Sequence, residues 1–344
     1  MYYLPTSIIF ILFAILTFIY TIKNREEKKN KGLFVNELLV GLLFFIAGAL
    51  FPFLLQSHSI SIPISHLNFM WLTTSLFLII ELTIWSFMIL YGYLRHKKKN
   101  NLSPQEEYVQ FCRTVKGNWN DELKNELGRK FLHIFTVIII IFFWHIGSLL
   151  EDLGILGVFG LENYSFSFWM IITVGYAFVI MFQTADLIRL NYFYTLPKWA
   201  KIWYCSAMRE RELDTFVAST PLVLSFVPFV FFPFPVFVSV ALITTVADAI
   251  ACLVGKKFGK KKFNPTSDKT IEGFIAGSFS TFLIVIFSFL IYYPLLPISL
   301  LKIIIMAAIS SLIFFLTDKF IERISDNITN PFLVGFSMWI ILII

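Results

Sequence analysis

Long apolar runs, broken by short charged stretches, set the pattern of this chain. They fall at about Ile8–Ile22, Phe34–Leu55, Leu67–Leu94, Arg129–Leu150, Phe166–Leu190, Asp214–Phe231, Val236–Val254, Ile271–Tyr292, Ser299–Leu316 and Asn330–Ile344. A bilayer core roughly 30 Å thick takes about 20 helical residues. The pattern therefore predicts an all-α polytopic membrane protein with about ten transmembrane helices. The first run has no basic segment before it and no small-residue cleavage site after it, which reads as a retained anchor helix. The longest polar stretch, 95–128, predicts a short amphipathic helix near Glu106–Val115. The expected organisation is a three-helix extension over 1–94, a basic linker over 95–128 and a seven-helix core over 129–344.

Composition narrows the class. The 344 residues are 58% hydrophobic and only 15% charged, against about 25% charged in soluble domains. Of the 28 Lys and Arg residues, 27 fall in alternate loops, the first, third, fifth, seventh and ninth, counting Arg129, Lys130 and Arg189 at span ends; Lys302 alone falls on the other side. The positive-inside bias then places those loops in the cytosol and both termini outside. The net charge of +6 belongs to short inter-span loops and does not indicate nucleic-acid binding. Cys112, Cys205 and Cys252 are too few and too scattered for a disulfide frame or a zinc site.

The alternation gathers the polar clusters at span ends on one face. The densest is Thr244–Ser280. Asp248 sits near the end of an apolar helix, where an unpaired carboxylate is costly and Mg²⁺ is a natural partner. A basic glycine loop comes next, Gly255-Lys256-Lys257-Phe258-Gly259-Lys260-Lys261-Lys262, and then Lys269, Thr270, Glu272 and Gly273. This Gly-x-x-x-Gly-Lys lacks the spacing and the Ser/Thr of a P-loop, yet lysines and backbone N–H groups around glycines can hold phosphates. A basic anchor at the inner leaflet would explain the lysines, but not the glycines and acids with them.

Arg129, Lys130 and His133 open the fourth span together with Glu126. Residues three and four apart share a helix face, and His133 lies one turn inside the membrane, where polar side chains are costly. Lys130 alone would read as a snorkelling anchor. Asp186 with Arg189, the run Arg209, Glu210, Glu212 and Asp214, and the group Asp318, Glu322, Asp326 and Asn327 read equally well as local pairs, solvated charges or site residues. His145 reads as structural. Glu81, midway through the third span, would pair with a polar neighbour.

Four of these motifs, in this order, resemble the polyprenol kinase family, which includes dolichol kinases, phytol kinases and CTP-dependent diacylglycerol kinases. They are Arg129-Lys130-Phe131-Leu132-His133, Asp248-Ala249-Ile250-Ala251 with Gly255 and Gly259, Lys269-Thr270-Ile271-Glu272-Gly273, and Asp326-Asn327 with Pro331. The match covers about Glu126 to Pro331 and leaves the first three spans outside. The third motif is also similar to part of phosphatidate cytidylyltransferase, whose C-terminal motifs this chain lacks.

The resemblance implies transfer of the γ-phosphate of CTP to a long isoprenoid alcohol of the bilayer, dolichol or polyprenol. It implies Mg²⁺ on Asp248 with Asp326 and Glu272 as second carboxylates, and lysines 256, 257, 260, 261 and 269 on phosphate. His133 would be the general base or a phosphate contact. The membrane would be the endoplasmic reticulum in a eukaryote or the cell membrane in a prokaryote, with the site facing the cytosol. Three alternatives stay open: a CDP-lipid-forming cytidylyltransferase, a kinase of diacylglycerol, phytol or geranylgeraniol, and a non-enzymatic anion carrier.

Overall fold

The computed structural model describes residues 1–25, 31–56, 62–99, 103–117, 122–262, 269–321 and 324–344. The chain is a helical bundle: α1 (Leu4–Lys23), α2 (Lys31–Leu54), α3 (Ile64–Lys99), α4 (Pro104–Gly117), α5 (Glu122–Asp152), the single turn α6 (Ile155–Val158), α7 (Asn163–Tyr192), α8 (Lys198–Ala207), α9 (Ser219–Leu224), α10 (Phe234–Leu242), α11 (Asp248–Phe258), α12 (Ile271–Ile291), α13 (Leu300–Phe320) and α14 (Asp326–Ile343). Among the described residues the one isolated β-bridge joins Lys262 to Thr270, and nine helices are long and apolar enough to cross a membrane. The polytopic helical class read from the sequence is therefore the observed one.

The expected sixth span differs. It is not one helix but α9 followed by a 3₁₀ segment, Val227–Phe231. Pro221, Pro228 and Pro233 deny the run a continuous ladder of N–H donors. It still traverses the bundle. Arg189 holds its start by the carbonyl of Leu213. Phe234, just past its end, stacks on Trp144 and packs edge-on against Tyr292 at the far end of the bundle. Broken backbone at membrane depth is tolerated where protein covers it, and Leu222, Leu224, Phe226, Phe229 and Val230 are buried. This stretch runs the depth of the bundle enclosed by protein, and it is not among the nine long apolar helices.

The three N-terminal helices share the apolar core of the rest, which runs from Ile9 and Phe10 through to Met338. Polar bridges reinforce the contact: Gln183 Nε2 donates to Thr17 Oγ1 at 2.8 Å, and Tyr176 OH to the Ala47 carbonyl at 2.9 Å. Such interhelical bonds suit a medium with no water to compete. α4 extends beyond the expected amphipathic stretch and buries Phe111 and Val115, against the segment around Phe193.

Candidate functional site: a charged cluster at one end of the bundle

Local geometry places the charges. α10 and α11 form one continuous rod through a π-helical segment, Ile243–Ala247. An extra residue in the helical turn re-aims the side chains beyond it, and the first of these is Asp248. Its carboxylate meets Lys130 Nζ of α5 in a buried ion pair across 118 residues of sequence. One turn before Lys130, the buried Glu126 accepts from Arg129 Nη2 at 3.0 Å and from Arg209 Nε at 2.7 Å. Lys256 Nζ lies 3.7 Å from the same carboxylate. Glu126 thus ties together the start of α5, the 209–212 turn and the end of α11.

That turn is itself held from behind. Asp186 and Arg189 pair at 3.1 Å, fully buried. Asp186 also accepts from the Tyr204 hydroxyl and the Val217 amide. Thr215 Oγ1 donates to the buried Glu37 of α2 at 2.8 Å. Burial first, and then the Asp186 carboxylate, push the Tyr204 phenol well above its usual value, so it stays a donor. Asp186 and Arg189 are therefore positioning groups rather than members of the cluster.

Lys269 closes the other side. Its ammonium binds the Asp318 carboxylate and lies 3.3 Å from the Asp318 carbonyl. Asp326 and Asp248 are within electrostatic reach. Burial works against its charge, but the carboxylates of Asp326 and Asp318 outweigh that and hold the amine above the ordinary lysine range. Asp326 is the first residue of α14, not part of a preceding loop. Its helix start is pinned by Asn36 of α2, whose Oδ1 accepts from the Ser325 amide at 2.8 Å. His133 is buried one turn below Lys130, and its Nδ1 has no hydrogen-bond partner among the described residues.

Not every expected residue joins this group. The basic stretch is helical through Phe258, so Gly255 to Phe258 are a helix end and not a loop. Its glycines serve close packing. A Cβ on Gly273 would meet the Ala251 carbonyl at 2.7 Å, and one on Gly259 the Gly255 carbonyl at 2.2 Å. Thr270 caps α12, its hydroxyl accepting from the Gly273 amide at 3.3 Å. Glu272 turns to the Lys261 amide at 3.5 Å, away from the three aspartates. Lys257, Lys260 and Lys261 are exposed.

The remaining candidates scatter. Glu210 pairs with Lys116 on the surface, and Asp214 is exposed. His145 Nε2 lies 3.3 Å from the Tyr292 hydroxyl at the opposite end. Glu81 Oε2 is buried without a hydrogen-bond partner among the described residues. Glu322 lies outside the described residues. Glu37 and Asn36 gave no signal in the sequence beyond being polar residues inside an apolar run.

The arrangement presents cations and carboxylates on several helices around one point. Among the described residues, no three His, Cys, Asp or Glu side chains gather closely enough to hold a metal by themselves. Mg²⁺ commonly takes one or two carboxylates together with substrate phosphates. Asp248 and Asp326 around Lys269 fit an ion that arrives bound to phosphate. No family model, curated protein or solved structure matches the chain.

Proposed function

We propose that the protein is an integral-membrane lipid kinase that moves the γ-phosphate of CTP onto the hydroxyl of a long isoprenoid alcohol. One observation carries the reading: Asp248, bound to Lys130, lies within electrostatic reach of Lys269, which Asp318 holds directly and Asp326 flanks. Residues from four separate motifs thereby share one cluster. Phosphoryl transfer needs positioning and charge neutralisation more than covalent help from the protein.

In this reading the alcohol oxygen bonds to the γ-phosphorus and the bond from that phosphorus to the β–γ bridging oxygen breaks. CDP leaves, and the hydroxyl proton passes to His133. Arg129, Lys130, Lys256 and Lys269 hold phosphate oxygens. Magnesium brought with the nucleotide would sit on Asp248 and Asp326 and neutralise phosphate charge. The exposed lysines 257, 260 and 261 steer the nucleotide inward. The positive-inside bias puts this end of the bundle in the cytosol.

The test is one membrane preparation given CTP labelled at the α or the γ phosphate, with a panel of lipid alcohols. Only γ-label should reach the lipid. Asp248→Ala and Lys269→Ala should abolish transfer. α-Label in the lipid would make the protein a cytidylyltransferase, and no label from either would leave a carrier.

A further inference from the structure

The rod formed by α10, the π segment and α11 runs through the interior. From Phe234 to Ala251 every residue is buried except three: Leu242, Val246 and Ile250. They recur every fourth position and so make a single open strip along the rod. The strip lines an apolar groove of about 260 Å³, walled by Ile141 of α5 on one side and by Leu283, Ile284 and Phe287 of α12 on the other. Phe287 and Ile291 at its lip are exposed, so the groove opens sideways toward hydrocarbon.

Its two ends differ. Ile250 is two residues past Asp248. Ile141 lies on the same face of α5 as Lys130, eleven residues or about 16 Å deeper. The charged cluster therefore lies level with one end, that of Ile250: Asp248 turns to the other side of the rod from Ile250 and meets Lys130, which lies on the face of α5 that also walls the groove. Tyr292 and its contact with His145 mark the other. From Val238 to Ile250 the groove runs about 18 Å, somewhat more than half the roughly 30 Å hydrocarbon thickness.

We propose that this groove seats the hydrocarbon chain of the lipid alcohol, which slides in from the bilayer between α5 and α12 and brings its hydroxyl to Asp248 and Lys130. The inference rests on the kinase reading and deepens it. The walls are apolar apart from Ser280, Ser288 and the ring of Tyr292, and the end level with the charges suits the one polar group such a lipid carries. The occupant is a single chain: the strip is one residue wide at each level. Units of a long polyprenol beyond the groove trail into the membrane, so the site reads the hydroxyl end and not the total length.

The test uses the full-length protein in liposomes with γ-labelled CTP, a long polyprenol and an alcohol of two isoprene units. Leu283→Trp plugs the middle of the groove. The KM for the long alcohol should rise at least tenfold, while turnover of the short alcohol and the KM for CTP stay within twofold, which also reports an intact fold. Gly175→Leu fills a separate apolar pocket between α5 and α7 and should change neither.

An unchanged KM for the long alcohol in Leu283→Trp, or a tenfold rise in Gly175→Leu instead, overturns the assignment. Should Leu283→Trp lose both substrates, crosslinking of the wild-type protein decides. A long alcohol with a photoreactive diazirine in its chain should label Val246, Leu283 or their neighbours, and labelling confined to other helices overturns the proposal. The same crosslinking separates the two readings: if the wild type transfers no phosphate at all, the kinase reading fails, while the adduct still reports whether the groove holds an alcohol.

Discussion

Asn36 Oδ1 accepts the backbone N–H of Ser325 at 2.8 Å, joining residues 289 positions apart. The bond fixes the start of α14, and the next residue is Asp326. A helix far outside the charged motifs thereby positions one of the aspartates around Lys269. Asn36→Ala should cost about 1 kcal/mol of stability, the usual worth of such a bond, and lower phosphate transfer severalfold. Thermal unfolding in detergent and the labelled-CTP assay read the two effects. Lost stability with unchanged transfer would make Asn36 a staple and nothing more.

The Lys130–Asp248 pair allows a reciprocal test. Removing one partner strands a buried charge, at a cost of about 3–5 kcal/mol. Lys130→Met and Asp248→Asn should each lower the melting temperature markedly. Combined, they should recover most of it, because neither charge is then left alone. Transfer activity should be absent from all three variants. A double variant that is as unstable as the singles would show that the two side chains do not pair.

Lys269 predicts a pH dependence. Its folded-state pKa lies above the ordinary value of 10.5. The stability gained from its charge is then fully present below that value and fades only as pH rises through the folded one. The stability difference between wild type and Lys269→Met should stay constant from neutral pH to about 10 and shrink beyond. Denaturation in detergent at a series of pH values measures it. A difference that already narrows between pH 7 and 9 would contradict the carboxylate cage.

The glycines separate packing from phosphate binding. Gly273→Ala drives a methyl into the Ala251 carbonyl at 2.7 Å, and backbone cannot step aside. A loss of about 1–3 kcal/mol, typical of overpacking, should result. Lys260→Ala, exposed and far from any core, should leave stability unchanged and raise the KM for CTP. If Gly273→Ala is as stable as wild type and fails only in CTP binding, the glycine cradles phosphate after all.

Much of the scaffold is legible in the amino-acid sequence. Long apolar runs have few alternatives in a bilayer, so nine helices emerge from hydropathy alone. The sixth pass does not, because hydropathy measures transfer to lipid and not whether proline lets the backbone stay helical. At the site, Arg129, Lys130, His133, Asp248, Lys269 and Asp326 stand out by charge inside or beside apolar runs. Asp318 and Glu126 are harder to rank: a carboxylate at a helix end looks the same in sequence whether water or a lysine neutralises it. The helical state of Gly255 to Phe258 escapes such a reading, since glycine and lysine together suggest a turn, whereas here glycine admits the neighbouring helix.

The broken pass has a consequence for how the protein is made. Phe229 on it lies against Phe332 and Phe336 of the last helix, directly over Gly335, where a methyl would come within 2.2 Å of the ring. Lipid cannot satisfy the irregular backbone between Asp214 and Phe231, so that stretch depends on neighbouring helices for its cover. The helices α2, α5 and α7, made before it, cover part of it, and α14, synthesised about a hundred residues later, covers the rest. Its enclosure is therefore completed only when α14 has been made.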